Sequence, residues 1–212
     1  MMHAYSENYL NNAITNFADM MDYDVNDCSI NADSYIQMFI ASGIAKQFEH
    51  GNPKYIVGKS GPELAKDPVF KIKGKVIDIE PLFCEDKSRQ YWAGWALGYY
   101  QWYTAKAFLD ILKVLPFSDI IKMYPTFHEA DITKFFDTVD RIIERENTIT
   151  NLKRIRTAAG ISQKALAEQS GVTLRSIQMY EQKNKDINKA SAMTIAQLSR
   201  VLGCNMEDLL GI

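Results

Sequence analysis

Apolar residues return at helical spacing along most of the chain. Leu10, Ile14, Phe17 and Met21 predict one amphipathic helix. Ile36, Phe39, Ile40, Ile44 and Phe48 predict a second, running unbroken to the stop signal Gly51-Asn52-Pro53. SGPELA at 60–65 places a cap before Pro62, the opening of a short helix. Residues 69–80, VFKIKGKVIDIE, alternate in part and are rich in β-branched side chains, which predicts a small hairpin about Gly74. A long helix follows from about Ser88 to Tyr103, bending near Thr104 and continuing as AKAFLDILKVL. Ser118 caps FSDIIKMY, and Pro125 breaks it. A last helix from about Glu129 to Glu146 turns Ile132, Phe135, Phe136, Val139, Ile142 and Ile143 inward. The polar stretch RENTITN at 145–151 then marks a boundary between residues 1–148 and 149–212.

The helix near 88–103 contains YWAGWALGYYQWY at 91–103, which holds all 3 Trp and four of the 11 Tyr. It is apolar nearly all round, as expected of a central helix enclosed by others. Gly94 and Gly98, four residues apart, leave one side open to close approach. The segment is too short and too flanked by charge to span a bilayer. Buried Trp and Tyr still need partners for N–H and O–H. Two alternatives to plain core therefore stand: a side offered to a partner or second copy, and a small-ligand pocket beside Trp92, Trp95 and Trp102.

From Asn151 the pattern changes to five short helices. Leu152 and Ile155 share a face of the first, and Gly160 ends it where positive φ costs least. Ser162 caps a second helix, Gln163 to about Gln169, with Leu166 and Ala167 inward. Gly171 lets the backbone reverse, Val172 is buried in the turn, and Thr173 caps a third helix from Leu174 to Glu181, with Ile177 and Tyr180 inward. A helix near 188–202 carries Ile195, Leu198 and Leu202. A final one, from Asn205, places Met206, Leu209 and Leu210 as a lid. Gly171 follows the small Ala167 by four residues, and Ile177 follows Gly171 by six. That order fixes how closely two helices cross, and a helix, a short Gly-containing turn and a second helix make a DNA-reading unit.

Residues 150–210, through SQKALAEQSGV, SIQMYE and LGCNMEDLL, resemble the helix-turn-helix domains of the Cro/repressor type, the xenobiotic-response-element family. The resemblance implies a lambda-repressor-like five-helix domain that binds double-stranded DNA. It implies that Gln163 bonds a phosphate. It places Thr173, Leu174, Arg175, Ser176, Gln178 and Met179 on the side of the third helix that meets the major groove. Arg175 is the best base reader, because a guanidinium offers two bonds to a guanine edge. Leu174 and Met179 could only touch a thymine methyl or fill space. Lys183, Asn184 and Lys185 would grip phosphates, which positions without reading sequence. Arg156 and Glu181 match a structural ion pair. Where many relatives carry a Gly soon after that Glu, this chain reads EQKNKDINK, and Asn184 is expected to take the positive φ.

Charge sharpens the division. The chain of 212 residues has a net charge of −2. Residues 149–212 hold 9 basic and 5 acidic side chains, +4, against 15 basic and 21 acidic in residues 1–148, −6. A basic unit beside an acidic one is the balance expected if only the former meets a polyanion. Cys28, Cys84 and Cys204 lie far apart, which suits buried thiols in a reducing cytoplasm. The N-terminus lacks the pattern of a signal peptide. HEAD at 128–131 lacks the second His of a zinc helix, and KSGPELAK lacks phosphate-loop spacing. The acidic loop Asp22, Asp24, Asp27 near Cys28 reads as solvated. The expectation is a mainly α, non-enzymatic, cytoplasmic protein without metal or cofactor. It would be a dimeric transcriptional repressor with a helical N-terminal domain for dimerisation, partner binding or sensing. The alternative is an antitoxin whose N-terminal domain neutralises a toxin while its C-terminal domain represses the operon.

Overall fold

A computed structural model describes residues 3–82 and 86–210, with the backbone alone at 147 and 148. Cys84 lies outside the described residues. The chain divides into two compact units, Met1–Ile143 and Glu144–Ile212. Both are helical, and the described residues contain no strand. No helix among them is long and apolar enough to cross a membrane.

The first unit is built on α1, Leu10–Asp22, packed along α6, Arg89–Thr104. At Gly94 the helix comes close to the α1 backbone: a methyl group there would stand 3.0 Å from the Ala18 Cα, tighter than ordinary contact, while Gly98 faces the Phe17 and Ile14 side chains. Around this pair lie α2 (Ala32–Ala41), α3 (Ile44–Glu49), α4 (Pro53–Ile56), α5 (Gly61–Lys73), α7 (Phe108–Val114), α8 (Phe117–Phe127) and the start of α9 (Ile132–Thr148). Phe17, Phe39, Phe48 and Phe108 form one aromatic centre, with Phe17 stacked on Phe108 at 4.9 Å. Phe135 and Phe136 of α9 form another against Trp92, Tyr99, Tyr100 and Tyr103 of α6.

The aromatic helix is thus mainly core. Tyr100 is fully buried, and its hydroxyl donates to the Asp140 carboxylate at 2.5 Å. Trp102 donates its indole N–H to the Tyr5 carbonyl oxygen at 2.8 Å and is stacked by the His3 ring. Trp92 and Trp95 line a cleft of about 260 Å³ with Tyr91, Tyr124, Lys87 and His128. Trp102 does not line that cleft.

Five local expectations need correction. The apolar run 36–48 is two helices, because Gly43 turns left-handed at φ 76° and the Ser42 hydroxyl accepts the Ile44 N–H. The hairpin at 69–80 is absent. Ser60 and Glu63 form a reciprocal cap, Pro62 begins the helix, and Leu64, Ala65, Pro68 and Val69 bury one face, so α5 runs through to Lys73. Gly74 then serves as its left-handed C-cap, at φ 65°, and not as a hairpin turn. Pro125 does not break α8. It lies on the exposed side of the helix, away from the core. Pro116 rather than Ser118 caps that helix. Finally, α6 does not bend into α7 but stops at Thr104, with Ala105 left-handed at φ 53°.

One side chain of the first unit stands apart. After α1 the backbone widens into a π-helical turn, Tyr23–Asp27. The Asp24 carboxyl in it is wholly buried, and neither oxygen has a hydrogen-bond partner among the described residues. Burial pushes its pKa up to about 8, and the Tyr35 hydroxyl, the group that could lower it, donates its proton to the Ala65 carbonyl oxygen instead. The reading of Asp24 as a solvated loop residue is therefore corrected: the extra residue of the π turn rotates it inward.

The second unit comprises α10 (Asn151–Ala158), α11 (Gln163–Ser170), α12 (Leu174–Glu181), α13 (Ala192–Leu202) and α14 (Met206–Leu209). Leu152, Leu166, Ile177, Leu198 and Leu209 are fully buried at its centre. Thr150, Ser162, Thr173 and Ser191 each accept an N–H of the helix they precede. Sequence and caps agree at nearly every boundary.

Candidate nucleic-acid interface

Three residues, Gly171, Val172 and Thr173, join α11 to α12. Gly171 is left-handed at φ 73° and caps α11, a conformation that costs a side-chain-bearing residue about 1 kcal/mol. Val172 is buried. Its N–H donates to the Ser170 hydroxyl at 3.2 Å, and that hydroxyl donates to the Leu166 carbonyl oxygen at 2.6 Å. The turn is therefore held from both sides of the chain.

A buried ion pair fixes α12 to the helices behind it. Glu181, 4% exposed, takes both forks of the Arg156 guanidinium, Nε at 2.6 Å and Nη2 at 3.0 Å. The Arg156 Nη1 donates to the Ile161 carbonyl oxygen at 2.6 Å. The Gln163 amide donates to the second Glu181 oxygen at 2.7 Å. Hydrogen bonding to Glu181 raises the Arg156 pKa further. One cluster thus ties α10, α11 and α12 together, in the planar paired geometry in which a buried ion pair recovers its desolvation cost.

With Ile177, Tyr180 and Glu181 turned inward, the rest of α12 points away from the core. Leu174 and Arg175 are exposed, and Ser176, Gln178 and Met179 are partly exposed. The Thr173 hydroxyl accepts the Ser176 N–H and donates to the Ser176 hydroxyl at 2.9 Å, which fixes the first turn. Lys183, Asn184 and Lys185 follow directly. Asn184 is not the left-handed residue there; Lys183 is, at φ 56°. The Lys183 N–H bonds the Tyr180 carbonyl oxygen and the Lys185 N–H reaches back to Met179, so the backbone must reverse one residue earlier than expected. The Lys185 ammonium lies 5.2 Å from the centre of the Tyr180 ring.

The residues predicted from sequence are thus distributed over α12, its two ends and the start of α11. Gln163 is already committed through one amide hydrogen, leaving its second hydrogen for another acceptor. Sequence reasoning gave Arg156 and Glu181 but missed the third member, Gln163, and the Ile161 carbonyl. Neither leaves a pattern in the sequence, because both depend on how the helices cross. The three histidines are engaged locally: His3 against Trp102, and His50 and His128 with carbonyl oxygens of Lys46 and Tyr124.

A family model described as helix-turn-helix, of the Cro/C1 type, matches residues 152–209. That span lies within the second unit and matches the resemblance noted above. The match supports a DNA-binding regulator of transcription in general. No curated protein matches the chain. No solved structure matches it.

Proposed function

We propose that this protein is a sequence-specific repressor that binds duplex DNA as a homodimer and reads the major groove with α12. The observation that carries this reading is the exposed face of α12, clamped from behind by Arg156, Glu181 and Gln163 and ending in Lys183–Lys185. Arg175 is the base reader, Thr173, Ser176, Gln178 and Gln163 bond bases or phosphates, and the lysines with Asn184 grip the backbone. Met193 on α13, 68% exposed, offers an apolar contact for a second copy, and two copies would recognise half-sites about one helical turn apart. Selection of duplexes from a random pool, followed by binding of Arg175→Ala, tests the reading. A preferred inverted repeat that the variant no longer distinguishes is expected. No preferred sequence, or an equal loss on every sequence, refutes it.

A second role fits the first unit. Its acidic balance favours a basic protein partner, as an antitoxin would need. Rescue of growth when the chain is produced with a toxic basic protein from its own operon is the expected result.

A further inference from the structure

The aromatic cleft of the first unit has no part in the function proposed above. Lys87, Tyr91, Trp92, Trp95, Tyr124 and His128 line its 260 Å³ or so. Its walls are rings, and their neighbours hold them. Trp92 meets Tyr124 edge to face at 5.7 Å, and Trp95 meets Tyr99 in the same way at 5.5 Å. The His128 ring stacks on Tyr124 at 4.4 Å, and its Nδ1 donates to the Tyr124 carbonyl oxygen at 2.9 Å. The cleft is therefore formed before any ligand arrives. Sites for drug-sized ligands hold roughly 300–1,000 Å³, so this smaller one suits a flat ligand of one or two rings.

The polar groups of the cleft select the charge of that ligand, because they are donors. Trp102, which lies outside the cleft, gives its indole N–H to the Tyr5 carbonyl oxygen. The indole N–H groups of Trp92 and Trp95 have no hydrogen-bond partner among the described residues, and neither is sealed from solvent. An indole N–H in a largely buried ring ordinarily finds an acceptor. Lys87 adds an ammonium, and no carboxylate is among the described lining residues. Glu129, beside His128, is 88% exposed and does not line the cleft. Lys87 bonds Asp19 at 3.2 Å, which uses one of its three hydrogens. Aromatic walls alone would also suit a cation. Here two of the rings already carry one. The Lys87 ammonium lies 4.1 Å from the centre of the Tyr91 ring, and the Arg89 guanidinium lies 5.8 Å from that of Tyr124. A cationic ligand would be repelled by both.

We infer that this cleft binds a small planar aromatic acid. The ring of the ligand lies against Trp92, Trp95 and Tyr124. Its carboxylate accepts from the Lys87 ammonium and from an indole N–H. Ring contact supplies most of the affinity, and the charged hydrogen bond supplies the choice between an acid and its neutral analogue. The inference is independent of DNA binding and of the antitoxin reading.

The test uses the full chain and four probes. Three are naphthalenes that differ in one substituent: a carboxylate, a carboxamide and a trimethylammonium. The fourth is the carboxylate of decalin, which has the same charge on a saturated, puckered frame. Indole N–H resonances are followed during titration, each assigned by a single Trp→Phe substitution. The naphthalene carboxylate should move the Trp92 and Trp95 signals and leave that of Trp102 in place. It should bind at least about fivefold more tightly than the carboxamide and the decalin acid. Lys87→Gln should bring the carboxylate down to the affinity of the carboxamide, with the Trp102 signal and the melting temperature unchanged. No movement of Trp92 and Trp95 at millimolar carboxylate overturns the inference, as does equal movement of all three signals. Equal or tighter binding of the trimethylammonium, the carboxamide or the decalin acid also overturns it.

Discussion

Each unit buries a carboxylate, and the two are treated in opposite ways. Glu181 in the second unit meets a guanidinium and an amide at the junction of three helices. Asp24 in the first meets no hydrogen-bond partner among the described residues, and burial moves its pKa to about 8. The pair shows that burial of charge alone does not define a role. The paired carboxylate fixes the direction of a helix, whereas the unpaired one makes the stability of its unit depend on pH.

Removing Arg156 should break the comparison most severely. Arg156→Ala leaves Glu181 buried without its counter-charge, a loss of about 3–5 kcal/mol. In a unit of this size that is most of the stability, so urea unfolding should show the second unit unfolded while the first is intact. The double substitution Arg156→Met with Glu181→Leu should recover much of the loss.

The opposite operation on Asp24 should stabilise. Its pKa is 3.8 in the unfolded reference and about 8 when folded. The folded state therefore holds the proton more tightly, stability is full below about pH 4, falls as pH rises, and is lost once pH passes about 8. Asp24→Asn should flatten that fall and raise the stability of the first unit at pH 8 by about 2–4 kcal/mol. An unchanged pH profile in thermal unfolding would show that Asp24 does not carry it.

Smaller effects sharpen the account of the DNA-reading face. Arg175→Ala should cost about 1–3 kcal/mol on the preferred duplex and little on others, whereas Lys185→Ala should weaken all duplexes and flatten the salt slope by about 1. Lys183→Gly should do two things at once. It relieves the left-handed backbone and stabilises the unit by up to about 1 kcal/mol, while weakening DNA binding.

The two units also differ in how far their sequences foretell them. The second is punctuated at every junction by a capping hydroxyl or a Gly, so its helices and inward residues were legible almost one by one. One exception, Lys183 for Asn184, lies where the usual Gly is missing and only backbone hydrogen bonds decide; another is the helix expected from about 188, which begins at Ala192 behind the Ser191 cap, after a separate turn at Ile187–Lys189. In the first unit local signals compete with packing. Gly43 splits a run whose apolar spacing looks continuous. The β-branched stretch 69–80 belongs half to a helix, because the cap at Ser60 and the buried face of α5 outweigh strand preference up to Lys73. Asp24 was unreadable, since a π turn shifts which residues face inward without altering composition.

The placement of every Trp on α6 has a practical side. Trp92, Trp95 and Trp102 lie in the first unit, and the second carries Tyr180 as its one aromatic side chain. Emission excited beyond the tyrosine band is thus a label built into one half of the molecule. Followed beside circular dichroism, which sees both halves, it would separate two melting transitions in one unlabelled sample.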